Sequence, residues 1–243
     1  MITPKSLRSL GREDLSNFVK ENVRDLLEDE ALAVLDNPYV SPAICQAIAQ
    51  TQRLTAFYSV RLRLVALRQT PQAQAVKFVH YLYWTDLVRL SVDVKVPAPV
   101  RRAIDTLLVN KVDKLTLGER VTSAKLCSRP LIAALLFDPD PKVFEALLIN
   151  PRVREEDLLQ VASSGRASPA QLRMLAEDRK WSFRYAIRKA LVMNPLTPRS
   201  SAASLLRSLS ARDLRMIHSN PQTTVYIRRC IERNNESLVA ARK

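Results

Sequence analysis

Glycine is nearly missing from this chain: Gly11, Gly118 and Gly165 are the only three in 243 residues, against 14 prolines. A fold of β-hairpins draws on glycine for its tight turns, and no Asn-Gly or Asp-Gly pair occurs. The same scarcity excludes G-x-G-x-x-G and Walker phosphate loops and the G-x-S-x-G nucleophile elbow. Cysteine is sparse too. Cys45, Cys127 and Cys230 lie far apart, whereas a disulfide framework or zinc site needs pairs such as C-x-x-C. They are expected to be small buried hydrophobes in a reducing compartment. Neither histidine, His80 or His218, has a ligand partner at metal-binding spacing; His218, just before Ser219-Asn220-Pro221, is expected to cap a helix end. The longest clean apolar run, Leu131 to Phe137, is far short of the about 20 residues a membrane span takes. The opening MITPKSLRSLGREDL has no apolar signal core. These absences lead to the expectation of an all-α cytoplasmic protein with no metal, no cofactor and no catalytic residue.

What the chain does have is punctuation. Apolar runs are cut by Asn-Pro or Asp-Pro at Pro38, Pro139, Pro151, Pro195 and Pro221. A residue before proline is pushed out of the α region, so a helix stops there, and Asn tolerates the left-handed conformation past a helix end. A start signal follows: Ser41-Pro42, Asp140-Pro141, Ser168-Pro169 and Thr197-Pro198, with Thr3-Pro4 and Thr70-Pro71 as further cases. A capping residue followed by proline at the first helical position opens a helix. The pattern reads as helix, short turn, helix, repeated. Helices are expected over an acidic Arg12–Leu35 and over Pro42–Gln50, Leu54–Leu67, Pro141–Ile149, Pro169–Glu177, Trp181–Met193 and Pro198–Leu209, among others.

At this point the residues carry a resemblance. KWSFRYAIRKALVMNPLTP resembles the second half of a HEAT-like unit. LVMNPLTPRSSAASLL and LDNPYVSPAICQAIA are similar to leucine-rich repeat variant units, whose helices join around an Asn-Pro-x-x-Pro turn. The likeness covers residues 31–50 and 130–235; the proline intervals 139 to 151, 151 to 195 and 195 to 221 are irregular at 12, 44 and 26. It implies an α-solenoid of bacterial type, a single repeat domain over 1–243. Within it, 1–36 would be an acidic cap, 37–129 an irregular helical region and 130–235 the clearest repeats. Related proteins carry an iron–sulfur cluster on clustered cysteines; this chain has none, so no cofactor carries over.

The net charge of +14 is uneven. The first fifty residues hold five bases and eight acids, and residues 166–243 hold sixteen bases and five acids. So lopsided a chain points to a polyanionic partner. Lys180, Arg184 and Arg188 fall at i, i+4, i+8 on the helix expected from Trp181, and Arg228, Arg229 and Arg233 follow two or three helices later. If successive helices align, these six form one exposed basic surface without acid partners, while Trp181, Ile187 and Leu191 point inward. Arginine suits bidentate contact with phosphate or carboxylate. The expected activity is a non-enzymatic binding module whose partner is nucleic acid or an acidic protein. A protein scaffold without nucleic acid is the alternative. A third class follows from likeness to HEAT-like DNA glycosylases, for which Trp84 with Asp86, or Trp181 with Asp178, would be the acid–aromatic pair. The stretch Phe78–Trp84 reads as a central helix or as one face of a ligand pocket.

Overall fold

A computed structural model describes residues 4–234, and every regular element among them is helical. The chain divides into two compact units. The first holds the residues up to Glu119 together with Leu126–Leu131; the second holds Arg120–Lys125 and the residues from Ile132 onward.

In the first unit lie α1 (Pro4–Leu7), α2 (Arg12–Asn22), α3 (Glu28–Leu35), α4 (Pro42–Gln50), α5 (Gln52–Ala56), α6 (Tyr58–Ala66), α7 (Gln72–Val79), α8 (Trp84–Val92) and α9 (Ala98–Lys111). After a 3-10 turn at Val112–Lys114 come α10 (Leu117–Ala124) and α11 (Arg129–Leu135). The second unit continues with α12 (Pro141–Leu148), α13 (Glu155–Ser163), α14 (Pro169–Glu177), α15 (Tyr185–Met193), α16 (Arg199–Leu206), α17 (Ala211–Ser219) and α18 (Val225–Asn234). Each helix is too short to be stable alone and gains its stability from packing on neighbours. In the second unit α12, α14, α16 and α18 pack in series as one layer. The other layer holds α13 against α15, with α17 tied to α15 by side-chain bonds. Between the layers Phe144, Leu158, Leu172, Ile187, Leu191 and Ile217 are fully buried or nearly so. The first unit repeats much of the scheme, with α7 against α9 on one side, α3 against α6 on the other, and α6 tied to α8 by the Tyr58–Asp86 bond.

The two units share a longer repeat than the proline intervals suggest. Helices α3, α4, α6, α7, α8 and α9 begin 127 residues before α13, α14, α15, α16, α17 and α18 respectively. No insertion interrupts the register. Ser41-Pro42-Ala43 returns as Ser168-Pro169-Ala170, Tyr58 as Tyr185, Arg61 as Arg188, Thr70-Pro71 as Thr197-Pro198, Asp86-Leu87 as Asp213-Leu214 and Arg101-Arg102 as Arg228-Arg229. The bonds return as well. The Leu27 amide donates to Glu30 and the Arg154 amide to Asp157, both at 2.8 Å. The Tyr58 hydroxyl donates to Asp86 and the Tyr185 hydroxyl to Asp213. Each tyrosine oxygen also accepts the amide that opens the next helix, from Tyr83 or Ser210 at 3.1 Å.

The start signals work in two ways. At Ser41, Asp140 and Ser168 the side chain accepts a backbone N–H of the first turn and proline follows at the first helical position. At Thr70-Pro71 and Thr197-Pro198 the proline is itself the N-cap and the threonine is buried one residue earlier. The stop signals differ from expectation: no non-glycine residue among those described has positive φ, and Asn194 is extended at φ −77°, ψ 118°. Asparagine instead staples. Asn194 accepts the Leu196 amide at 3.0 Å while its Nδ2 donates to the Ala162 and Ser164 carbonyls at 2.8 and 3.0 Å. Asn37 and Asn150 do the same, reaching back to Leu7 and Ala124 at 2.8 and 2.7 Å. Carbonyls left open at the end of an earlier helix are thereby paired. Two expected helices are split: Arg12–Leu35 into α2 and α3, and Leu54–Leu67 at the extended Phe57.

Candidate functional site

The six basic residues singled out in the sequence do not form one stripe. Lys180 is not on a helix, because the segment before α15 is a turn held by Asp178, whose carboxylate accepts the Lys180 and Trp181 amides at 2.9 Å each. The Lys180 ammonium lies 4.2 Å from the centre of the Trp181 ring. Arg184 is the N-cap of α15 and, contrary to expectation, has an acid partner: Glu155 at the start of α13, 3.7 Å away. Arg188 is half-buried, with Nη2 donating to the Phe183 carbonyl at 3.4 Å and its guanidinium 5.6 Å from the Tyr185 ring. Arg228 donates to the Asn220 and Pro221 carbonyls at 3.1 and 2.9 Å, closing the C-terminal end of α17. These four engage the fold itself. Trp181, Ile187 and Leu191 point inward as expected, at 3%, 0% and 0% exposure.

Arg229 and Arg233 are different. Both are exposed on α18, one turn apart, and neither forms an ion pair among the described residues. They belong to the layer of α14 and α16, not to that of α15. That layer adds Arg173, Arg199 and Arg207, all exposed and likewise without an ion pair among the described residues. Tyr226 precedes Arg229 and Arg233 by three and seven residues, so the three share a face of α18. From α16 the Arg199 guanidinium reaches over the Tyr226 ring at 5.6 Å. Acids are scarce on these helices. Glu177 ends α14, α16 has none, and Glu232 of α18 is taken by His218 at 2.8 Å. His218 lies in the last turn of α17, the helix end expected of it, and makes this contact as well.

The repeat separates the two kinds of arginine. Arg188 and Arg228 have arginines at the matching positions of the first unit, Arg61 and Arg101. Arg61 repeats the contact of Arg188, donating to the Ala56 carbonyl at 3.4 Å where Arg188 uses Phe183. By contrast Arg173, Arg199, Arg207 and Arg233 correspond to Gln46, Gln72, His80 and Thr106; only Arg229 has an arginine counterpart, Arg102. Of the arginines that engage the fold, Arg188 and Arg228 recur in both units, whereas Arg184 matches Phe57. Most of the exposed ones occur only in the second. The signal for this lay in the sequence, but only at a period of 127.

The remaining candidates resolve into structure. Asp178 is a turn cap, and the Trp181 indole N–H donates to the Leu148 carbonyl at 3.2 Å inside the core. The Asp86 carboxylate accepts the Tyr58 hydroxyl, and burial together with that bond pushes the Tyr58 phenol up to about 12. In the matching site the Tyr185 hydroxyl and Lys189, whose Nζ is 2.9 Å from Asp213, hold the half-buried Asp213 carboxyl down to about 2. Cys45 and Cys127 are buried, and burial pushes the Cys45 thiol up. No group of side chains among the described residues could hold a metal ion, and no helix there is long and apolar enough to cross a membrane. Of the aromatic stretch, Phe78 and Leu82 are buried whereas Tyr81 and Tyr83 stand out at 57% and 67% exposure. No protein family, curated protein or solved structure matches the chain.

Proposed function

We propose that this chain is a non-enzymatic helical-repeat binding module, an α-solenoid of HEAT-like or leucine-rich repeat variant type, that offers the outer face of α14, α16 and α18 to a polyanion. The supporting observation is the acid-poor row of exposed arginines, Arg173, Arg199, Arg207, Arg229 and Arg233, which the first unit lacks at four of five matching positions. Exposed arginines with few acids on the same helices make a net positive face, which an anion would neutralise. Nucleic acid fits this face better than an acidic protein does. Protein interfaces have an apolar centre, whereas Val225 and Tyr226 are the only exposed large apolar side chains on these three helices. Contact runs through phosphates, with little base readout. The face includes Arg229 and Arg233 with Arg173, Arg199 and Arg207, whereas Lys180, Arg184, Arg188 and Arg228 are engaged within the fold.

The test is fluorescence anisotropy of a labelled generic duplex at two salt concentrations. Binding falls steeply with salt, since each phosphate contact adds about 0.9 to the log–log slope. Arg229→Glu with Arg233→Glu abolishes it without unfolding the protein. Failure of the folded wild type to bind at low salt removes nucleic acid and leaves the acidic-protein reading.

A further inference from the structure

A second site lies in the first unit, away from the arginine face. One side of α7 carries Gln74, Lys77 and Phe78, with Tyr81 just beyond the helix end: the i, i+3, i+4, i+7 spacing of a single face. Opposite stands the end of α4 and all of α5, contributing Gln50, Gln52 and Thr55. Together with Arg61 they enclose a pocket of about 590 Å³. Its lining holds two cations, three carboxamides and two aromatic rings, and no carboxylate.

The second unit shows what this pocket looks like without such equipment. Gln74, Lys77 and Tyr81 match Ser201, Ser204 and Ser208. Gln50 matches Glu177, and Ala56, which leaves the mouth open, matches Phe183. Among the polar and charged lining residues Arg61 alone has the same residue at its counterpart, in keeping with its bond to the Ala56 carbonyl. The backbone frame does not require the lysine, the tyrosine or the glutamines. Packing does not explain Tyr81 either: its ring is 57% exposed, with the Arg61 guanidinium 5.5 Å from its centre.

We propose that this pocket binds a nucleoside monophosphate, free or as the exposed end of a nucleic-acid strand. The planar base lies on the free face of Tyr81. Stacking on a tyrosine already backed by arginine is a recurrent way to hold an unpaired base. The carboxamides of Gln50, Gln52 and Gln74 supply both donors and acceptors for the base edge, as glutamine does for adenine. The Lys77 ammonium neutralises the phosphate as a mobile point charge. The absence of a carboxylate in the lining leaves nothing to repel that phosphate.

The experiment titrates the full chain with adenosine 5′-monophosphate, inorganic phosphate and a short single strand bearing a 5′-phosphate, following heat or amide chemical shifts. Adenosine monophosphate is expected to bind at least about fivefold more tightly than inorganic phosphate, the difference being the stacked base. The strand is expected to compete with it if the strand end is the natural ligand and not to compete if the free nucleotide is. Lys77→Ser and Tyr81→Ser, which install the residues of the second unit at exposed positions, should each weaken nucleotide binding at least about fivefold and leave the melting curve unchanged. Arg229→Glu with Arg233→Glu should leave it unaltered, which keeps this site apart from the arginine face. Phosphate binding as tightly as the nucleotide, no nucleotide binding by folded protein, or indifference to both serine substitutions overturns the proposal.

Discussion

The two units run the same helix order in the same register, yet they spend their side chains differently. Where the first unit has Asp36 and Arg63, which pair at 2.8 Å across α3 and α6, the second has Ser163 and Ala190. The groove there is of similar size in both units, about 430 Å³ beside Leu32, Asp36 and Arg63 and about 490 Å³ beside Leu159, Ser163 and Ala190, but the second has lost the ion pair that lines the first. Where the first unit has glutamines and threonine on α4, α7 and α9, the second has arginines. Inside, the substitutions are conservative: Val60 against Ile187, Ile48 against Leu175, with Leu64-Val65 and Leu191-Val192 identical. Two copies of one frame therefore act as each other's control. Residues that recur with the same contacts carry the fold, and residues that differ at exposed positions are where function has room to act.

The sharpest break between the units is Trp181 against Leu54, matching core positions at 3% and 0% exposure. Trp181→Ala is expected to cost about 3–5 kcal/mol and Leu54→Ala about 2–5, the tryptophan also losing its bond to the Leu148 carbonyl. Denaturant melts of both variants check the order. Asn194→Ala comes next. It leaves the Ala162 carbonyl unpaired, so we expect about 1–3 kcal/mol, read as a shifted midpoint at unchanged slope. The matching residue in the first unit is Leu67, so that unit has no such staple to lose there.

How much of this was legible in the sequence divides along the same line. Scarce glycine and the Asn-Pro punctuation lead to an all-helical chain, and the bounds of α4 and α14 follow from Ser-Pro starts. The turn at Lys180 did not follow: Lys-Trp-Ser-Phe-Arg continues an amphipathic pattern, and only the capture of two amides by Asp178 stops the helix from starting there. The true role of asparagine also stayed hidden, because its partners lie 26 to 32 residues back, as in Asn150 to Ala124 and Asn194 to Ala162. Nor did the sequence tell which arginines were engaged. Arg184 finds Glu155 through a tertiary contact that helical spacing cannot reveal.

A smaller effect separates the units by pH. Asp213, held near 2 against an ordinary 3.8, adds stability that is complete above about pH 4 and lost as pH falls through 2. Tyr58, held near 12 against an ordinary 10, adds stability that is complete below pH 10 and lost as pH rises through 12. Acid should thus weaken the second unit and alkali the first. The chain's two tryptophans, Trp84 and Trp181, fall one in each unit, so single-tryptophan variants report them separately. Tyr185→Phe should lessen the acid-side loss, Lys189 sustaining the remainder, and Tyr58→Phe should remove the alkaline one.

Smallest in its effect on stability, and most direct, is an exchange of surfaces. Replacing Arg173, Arg199, Arg207 and Arg233 by the residues of the first unit, as R173Q, R199Q, R207H and R233T in one chain, alters only exposed positions, each worth about 0.5 kcal/mol or less. The salt dependence of duplex binding is then measured beside the wild type. An unchanged melting temperature, affinity lost at low salt and a log–log slope reduced by about 3 to 4 are expected. Wild-type affinity and slope in the exchanged protein would contradict a role for the arginine face.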